Sequence, residues 1–234
     1  MGFIDNIKVD RDLQIQTLCV AFFLVIFPLY FFSVAAGTDS PAGMGGVGKY
    51  SVSGELTYID FDEGEEDIVD SAPFTIDLNT DALDNLDGKN IVGVNLMLSY
   101  GENEQAGSGI TCTPVNSGQN QADTISGTAG HLNFSSTADG QNNGGSGEHD
   151  VITEWYNSSM IGSVVEGLSE ADINSQLDAN DAGFGDYSFE ISVSSSAGGG
   201  PGCQRSDTGE TVSYTIQLIV LDYTIVPFVD LENI

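Results

Sequence analysis

Apolar and polar residues alternate one by one in several separate segments of this 234-residue chain. Successive side chains of a β-strand point to opposite faces, so a period of two predicts strands with one buried face. These segments are residues 50–58, 74–78, 92–100, 187–193 and 212–226, with shorter candidates at 110–115, 131–135 and 151–156. About eight one-sided strands separated by Gly-rich, Asn-rich and Ser-rich connections predict an all-β fold, an antiparallel β-sandwich of the jelly-roll or Ig-like type.

Three stretches between or within these strands add detail to the prediction. Residues 218–221 are apolar on both faces, which predicts a central position in a sheet for the last strand. Residues 116–150 are mostly small and polar, which predicts a surface excursion with at most one or two short strands. Residues 60–67 are mostly Asp and Glu and are predicted to form a solvated acidic loop.

One soluble helix is predicted within residues 168–181. Ser169 is a suitable N-cap, and Asp172 follows three residues later, which resembles a capping box. The helix is expected to connect two strands and to cover one end of the sandwich.

A different kind of segment precedes the strands. No charged residue occurs between Leu13 and Thr38, and about 20 mostly large apolar residues suffice to span the hydrocarbon core of a bilayer. Residues 13–36 are therefore predicted to form a transmembrane helix. The alternative is a signal peptide cleaved near Ala36, because small residues precede Gly37, and the protein would then be secreted.

The flanks of the apolar segment predict its orientation. Lys8 and Arg11 precede it and only Lys49 follows closely, so residues 1–12 are placed in the cytoplasm. Residues 37–48 are rich in Gly and predict a flexible tether. Residues 49–234 then form a single extracytoplasmic domain.

The charge balance excludes one large class of partners. The chain has 35 acidic and 5 basic residues, for a formal net charge of −30. Such a field repels nucleic acid, so no nucleic-acid partner is expected. It suits a surface that salt screens, or one that collects divalent cations or basic partners.

Three cysteines are present, and Cys19 lies inside the apolar segment. Cys112 and Cys203 are the remaining pair, and a disulfide between them is expected in an oxidising compartment outside the cytoplasm. The alternative is two separate thiols.

The best cation candidate in the sequence is formed by Asp77, Asn79 and Asp81. Oxygen-bearing side chains that alternate along a turn can converge on one calcium ion. The alternative is a short helix capped at Thr80 or Asp81 and stopped by Gly88. Calcium is the one cofactor that the sequence suggests, and no other is expected.

No catalytic motif is found. His131 and His149 are the two histidines of the chain, both are expected to be exposed, and no Gly-x-Ser-x-Gly nucleophile elbow occurs. The protein is therefore predicted not to be an enzyme. Asn133 and Asn157 each begin an N-glycosylation acceptor pattern, which agrees with an extracytoplasmic domain.

These observations predict a membrane-anchored extracytoplasmic binding or structural module of the cell envelope. Its partners would be the membrane, through the N-terminal helix, and an envelope protein or glycan. Two alternatives remain open: an envelope hydrolase with a His-centred site in residues 116–150, and an accessory subunit of a membrane complex or surface filament.

Overall fold

The computed structural model describes residues 11, 12, 15, 20, 22–27, 29, 46–105, 120–200 and 203–228. Most of the predicted transmembrane helix and of the tether lies outside these residues, as does the candidate strand at 110–115. Within the described part of the N-terminal segment, a π-helical turn covers Phe22–Ile26. No helix that is both long and apolar enough to cross a membrane is found among the described residues.

The body of the protein is built from β-strands. The strands are β1 Gly48–Val69, β2 Phe74–Asn79, β3 Ile91–Gly101, β4 Thr124–His131, β5 Phe134–Gln141, β6 Ser146–Glu154, β7 Ser163–Leu168, β8 Asp186–Ser194, β9 Gly199–Gly200, β10 Cys203–Gln204 and β11 Gly209–Pro227. One α-helix, α1, covers Glu170–Leu177, and short 3-10 helices cover Thr80–Ala82, Ser158–Met160 and Asn180–Gly183.

Nine of the strands form two antiparallel sheets. One sheet has the order β6-β3-β11-β1-β7 and the other the order β2-β8-β4-β5, while β9 and β10 pair only with each other. A core of apolar side chains from both sheets lies between them. This arrangement is consistent with the predicted β-sandwich.

The longest feature of the fold is the antiparallel pair of β1 and β11. It runs from Tyr50 opposite Pro227 to Val69 opposite Gly209, with a register shift between Asp60 and Asp62. We call the end where β1 begins the near end, and the end where β11 begins the far end. At roughly 3.3 Å per residue, the 22 residues of β1 have a length of about 70 Å along the strand.

The prediction of an acidic loop at residues 60–67 is wrong, because these residues belong to β1. Polar side chains of β11 form hydrogen bonds with these carboxylates across the ladder. Gln217 donates from Nε2 to Asp60 at 2.7 Å, and Ser213 donates from Oγ to Glu65 at 3.2 Å. Only the first five residues of β1 pair with β7, so the acidic part forms an exposed edge. Charged side chains on such an edge discourage pairing with another chain.

The prediction for residues 218–221 is confirmed, because β11 lies between β3 and β1. Leu218 and Val220 belong to the core between the sheets. Ile219 and Leu221 point to the opposite face and pack in a second core. There they meet Ile173, which α1 contributes. The helix therefore covers the outer face of the larger sheet at the near end.

The prediction of a surface excursion at residues 116–150 is wrong where the structure describes it. This stretch contains β4, β5 and half of β6. The alternation of apolar and polar residues is weak in β4, because Gly127 and Ala129 occupy inward positions of this strand. A Cβ on Gly127 would lie 2.7 Å from both Leu98 Cδ1 and Val151 Cγ2. The facing sheet fills that space, so the inward position carries no apolar side chain to reveal the strand.

Two local predictions have opposite outcomes. The candidate strand at 131–135 is wrong as a single strand, because the turn of the β4–β5 hairpin interrupts it: His131 ends β4, Phe134 begins β5, and Leu132 between them has a φ of 52°. The capping box is confirmed: Asp172 N–H donates to Ser169 Oγ at 3.1 Å, and Ser169 N–H donates to Asp172 Oδ2 at 3.1 Å.

Candidate functional site

Four carboxylates converge at the far end of the sandwich. Glu102, Asp123, Asp207 and Glu210 each offer one oxygen, and these oxygens all lie within 4.8 Å of one another. We call this group the four-carboxylate cluster. Its members come from three separate parts of the chain, with only Asp207 and Glu210 close in sequence, so the tertiary fold assembles them.

Strand pairing explains the convergence. Tyr100 lies opposite Val212 in the larger sheet, so the segment after β3, with Glu102, lies beside the start of β11, with Glu210. Asp207 lies in the segment that leads into β11, and Asp123 immediately precedes β4 in the other sheet. The cluster therefore joins both sheets at one edge of the core.

Backbone amides hold three of these carboxylates in place. Ser196 N–H donates to Asp123 Oδ1 at 2.6 Å, and Glu104 N–H donates to Glu102 Oε1 at 2.8 Å. Asp207 is oriented by Gly209 N–H at 3.1 Å. Hydrogen bonds from rigid backbone groups fix a carboxylate's position before any ligand arrives.

Asn142 forms hydrogen bonds with two members of the cluster. Its amide nitrogen donates to Asp123 Oδ2 at 3.0 Å and to Glu102 Oε2 at 3.3 Å. Its amide oxygen accepts the N–H groups of Asp123 at 2.9 Å and of Gly144 at 3.1 Å. The side chain is buried, and both ends of its amide are used.

A fifth carboxylate nearby has its own cation. Glu104 is buried and forms an ion pair with Arg205, whose Nε lies 3.1 Å from Glu104 Oε1. The N–H groups of Gly198 and Gln121 also donate to the Glu104 carboxylate. The negative charge of Glu104 is therefore neutralised by its own partners, and we do not count Glu104 in the four-carboxylate cluster.

Glu210 stands out because it is buried without compensation. Its side chain is 1% exposed, and neither carboxylate oxygen has a hydrogen-bond partner among the described residues. Asp207 Oδ2 is likewise buried and unpartnered. Isolated buried carboxylates are costly, so such a group normally binds a proton or a cation.

Burial and neighbouring carboxylates raise the pKa values of the cluster. Burial, first, and the proximity of the Asp123 side chain, second, raise the pKa of Glu210 to about 8, while the backbone amide of Asn103 opposes the shift. Burial is also the first cause that raises the pKa of Asp207 and Glu102. These carboxyl groups therefore bind a proton more tightly than exposed carboxyl groups do.

The geometry at Asp77, Asn79 and Asp81 does not favour the predicted calcium site. Asn79 caps the 3-10 helix Thr80–Ala82 with its side-chain oxygen, which accepts Asp81 N–H at 2.8 Å. Its amide nitrogen donates to Asp186 at 2.6 Å. A capped short helix is present, as in the alternative interpretation, but Asn79 provides the cap and the helix ends before Leu83 and not at Gly88.

The two histidines do not come together with carboxylates. His131, predicted to be exposed, is buried and stacks on Tyr187 with ring centroids 3.9 Å apart. Its Nδ1 lies 2.9 Å from the Asp186 carbonyl oxygen, and its Nε2 lies 2.5 Å from that of Ala182. His149 contacts the Tyr100 hydroxyl and a backbone carbonyl. This geometry gives the His-centred hydrolase no support.

Other predicted sites are placed as follows. Cys203 is buried, but Cys112 lies outside the described residues, so their pairing stays a prediction. Asn133 is exposed in the β4–β5 turn, where a glycan would be accommodated. Asn157 is half-buried and donates from Nδ2 to Gln176 at 2.9 Å, so its amide nitrogen is already engaged.

Sequence reasoning missed the four-carboxylate cluster. Its residues lie in polar stretches of a chain with 35 acidic residues, where no spacing distinguishes them. One signal was available: Glu210 lies two residues before the alternating segment at 212–226, where a buried strand begins. A sequence cannot reveal which acidic residue of many is inward.

The comparisons with known proteins add little. No family model matches the chain, and no curated protein sequence matches it. Among solved structures, one described as "Desmodium yellow mottle tymovirus" is similar at 8% sequence identity, with 82% of this chain and 96% of that chain covered and a TM-score of 0.24. A similarity at this TM-score carries no argument about fold or function.

Proposed function

We propose that this protein is a membrane-anchored, extracytoplasmic and non-catalytic module of the cell envelope, which binds or supports a neighbouring component at its far end. The observation that carries the proposal is the distance between two features. The chain enters β1 at Gly48, directly after the predicted tether, whereas the four-carboxylate cluster lies where β1 ends and β11 begins.

The chemistry of the far end supports binding or a structural role more than catalysis. The cluster joins loops of both sheets and consists of carboxylates and their backbone donors. Catalysis usually needs a positioned nucleophile or a proton donor and acceptor pair beside a cleft. We propose an envelope protein or glycan as the partner, since the acidic surface disfavours nucleic acid.

Cysteine accessibility tests the placement. Thr208→Cys puts a thiol on an exposed residue at the far end, and Asn6→Cys puts one in the predicted cytoplasmic tail. We expect a membrane-impermeant maleimide to label Thr208→Cys on intact cells and to label Asn6→Cys only after lysis. The unsubstituted chain measures background from its own cysteines. Labelling of Thr208→Cys only after lysis would place the domain inside.

Photo-cross-linking tests the far end as the binding surface. A photoreactive residue at Thr208 is expected to give a discrete adduct with an envelope component in intact cells. The same residue at Val164, which is exposed at the near end, serves as the matched control. Adducts of equal yield from both positions would contradict a partner at the far end.

A further inference from the structure

The four-carboxylate cluster concentrates four acidic side chains in a small volume, and no salt bridge found among the described residues neutralises them. Its two most buried members are Asp123 at 0% exposure and Glu210 at 1%. The nearest basic side chain, Arg205, is committed to Glu104. Folding brings these groups together against mutual repulsion and desolvation, which a bound cation would offset.

An independent observation indicates that a ligand belongs in the cluster. Three buried oxygens, both of Glu210 and Oδ2 of Asp207, have no hydrogen-bond partner among the described residues. The oxygens of Glu102 and Asp123 are instead held by backbone and Asn142 donors. In metal sites, hydrogen bonds hold the ligating side chains in place while some of their oxygens are left for the ion. The cluster has this arrangement.

We infer that the four-carboxylate cluster binds one calcium ion, which joins the loops of both sheets at the far end. This site is separate from the predicted calcium site at Asp77, Asn79 and Asp81 and does not rest on the membrane placement proposed above.

Ligand chemistry selects calcium among the common cations. All four ligands are carboxylates, which hard cations prefer, and no His or Cys of a typical zinc site is among them. Calcium takes six to eight oxygens, and four carboxylates with some bidentate binding and water supply that number.

Hydration chemistry favours calcium over magnesium. Opposite oxygens around calcium are about 4.6–5.2 Å apart, twice the usual bond length, and the cluster oxygens all lie within 4.8 Å of one another, which is compatible with calcium. Magnesium gives up its water reluctantly and is seldom held by four protein carboxylates.

The test uses the full-length chain in mild detergent, stripped with chelator and then desalted. We expect calorimetric titration with calcium chloride to show saturable binding of one ion per chain, and thermal unfolding, followed by the fluorescence of Trp155, to shift upward with it. Magnesium chloride at equal ionic strength is the control, because any salt screens a chain with a net charge of −30.

Two variants localise the ion. Glu210→Gln and Asp123→Asn keep the side-chain shape but remove a charge, and each is expected to weaken calcium binding at least about tenfold, the lower end of losses reported for supporting residues of metal sites. Glu210→Gln resembles the protonated side chain and is expected to fold. Glu63→Gln on the exposed part of β1 is the matched control, with unchanged binding expected.

Four outcomes would overturn the inference. Absence of saturable calcium binding, or binding that both cluster variants leave unchanged, would exclude this site. Equal shifts with calcium and magnesium that survive in the cluster variants would indicate diffuse counterion screening. Equal shifts that the cluster variants abolish would locate a divalent site here but exclude the preference for calcium.

Discussion

The side-chain amide of Asn142 binds Asp123 twice, donating from Nδ2 to Oδ2 at 3.0 Å and accepting the backbone N–H at 2.9 Å through Oδ1. Asn142 lies in the connection between β5 and β6, and Asp123 lies at the start of β4. One buried amide therefore fixes the position of a buried carboxylate and ties together two segments at the far end.

This relationship predicts a large effect of Asn142→Ala. The substitution leaves the buried N–H of Asp123 without its acceptor and removes a donor from a buried carboxylate. We expect the free energy of unfolding to fall by at least about 2 kcal/mol in a denaturant titration. Gln141→Ala, on the exposed neighbour, should change it by less than about 0.5 kcal/mol. A small effect of Asn142→Ala would show that water replaces the amide.

The ion pair of Arg205 and Glu104 predicts a second effect. The Arg205 side chain is 9% exposed and that of Glu104 is 0% exposed, so Arg205→Met leaves a buried carboxylate uncompensated. We expect a loss of about 3–5 kcal/mol in the free energy of unfolding. Lys89→Met, on an exposed lysine, is the control and should have little effect. Similar losses for both variants would contradict a special role for the buried pair.

Glu210 predicts a pH dependence in the absence of divalent cations. Its pKa is about 8 in the folded protein, raised first by burial from a usual value of 4.5. The folded state therefore binds the proton more tightly than the unfolded state. The stabilisation is complete below about pH 4.5, declines as the pH rises, and is lost above about pH 8.

Comparison with Glu210→Gln isolates this contribution from those of the other carboxylates. With chelator present, the two proteins should have similar unfolding free energies at pH 5, and the wild type should be less stable than the variant at pH 8.5. A difference that stays constant between these pH values would contradict the raised pKa of Glu210.

The capping box of α1 predicts a linked change in stability and acidity. Ser169→Ala removes the cap and should lower the free energy of unfolding by about 1 kcal/mol. The Ser169 side chain, first, and its backbone N–H hold the pKa of Asp172 below its usual value. The pKa of Asp172, followed by NMR titration, should therefore rise toward the usual value in the variant. An unchanged pKa would exclude the side-chain contribution.

The packing around Gly127 predicts intolerance of even a methyl group. A Cβ there would lie 2.7 Å from Leu98 and from Val151, two side chains of the facing sheet. Gly127→Ala should cost about 1–3 kcal/mol, measured by thermal or chemical unfolding. Gly101→Ala is the control, because its Cβ would have no neighbour within 4 Å. Equal stability of the two variants would mean that the sheets separate without cost.

The sequence by itself determined the strands whose inward residues are large and apolar. In β8, Tyr187 and Ile191 alternate with polar residues, and the strand was predicted where it lies. Residues 218–221 likewise predicted a central strand. Side-chain periodicity is a local property, so it can be read without knowing what the strand packs against.

Only the tertiary structure decided the strands and sites that depend on a distant partner. β4 has Gly127 and Ala129 inward because Leu98 and Val151 fill the space, and the acidic half of β1 is a strand because β11 pairs with it. The four-carboxylate cluster follows the same principle. Glu210 and Asp123 differ from most of the described acidic residues in their burial, and burial is set by segments that strand pairing brings together from distant positions in the chain.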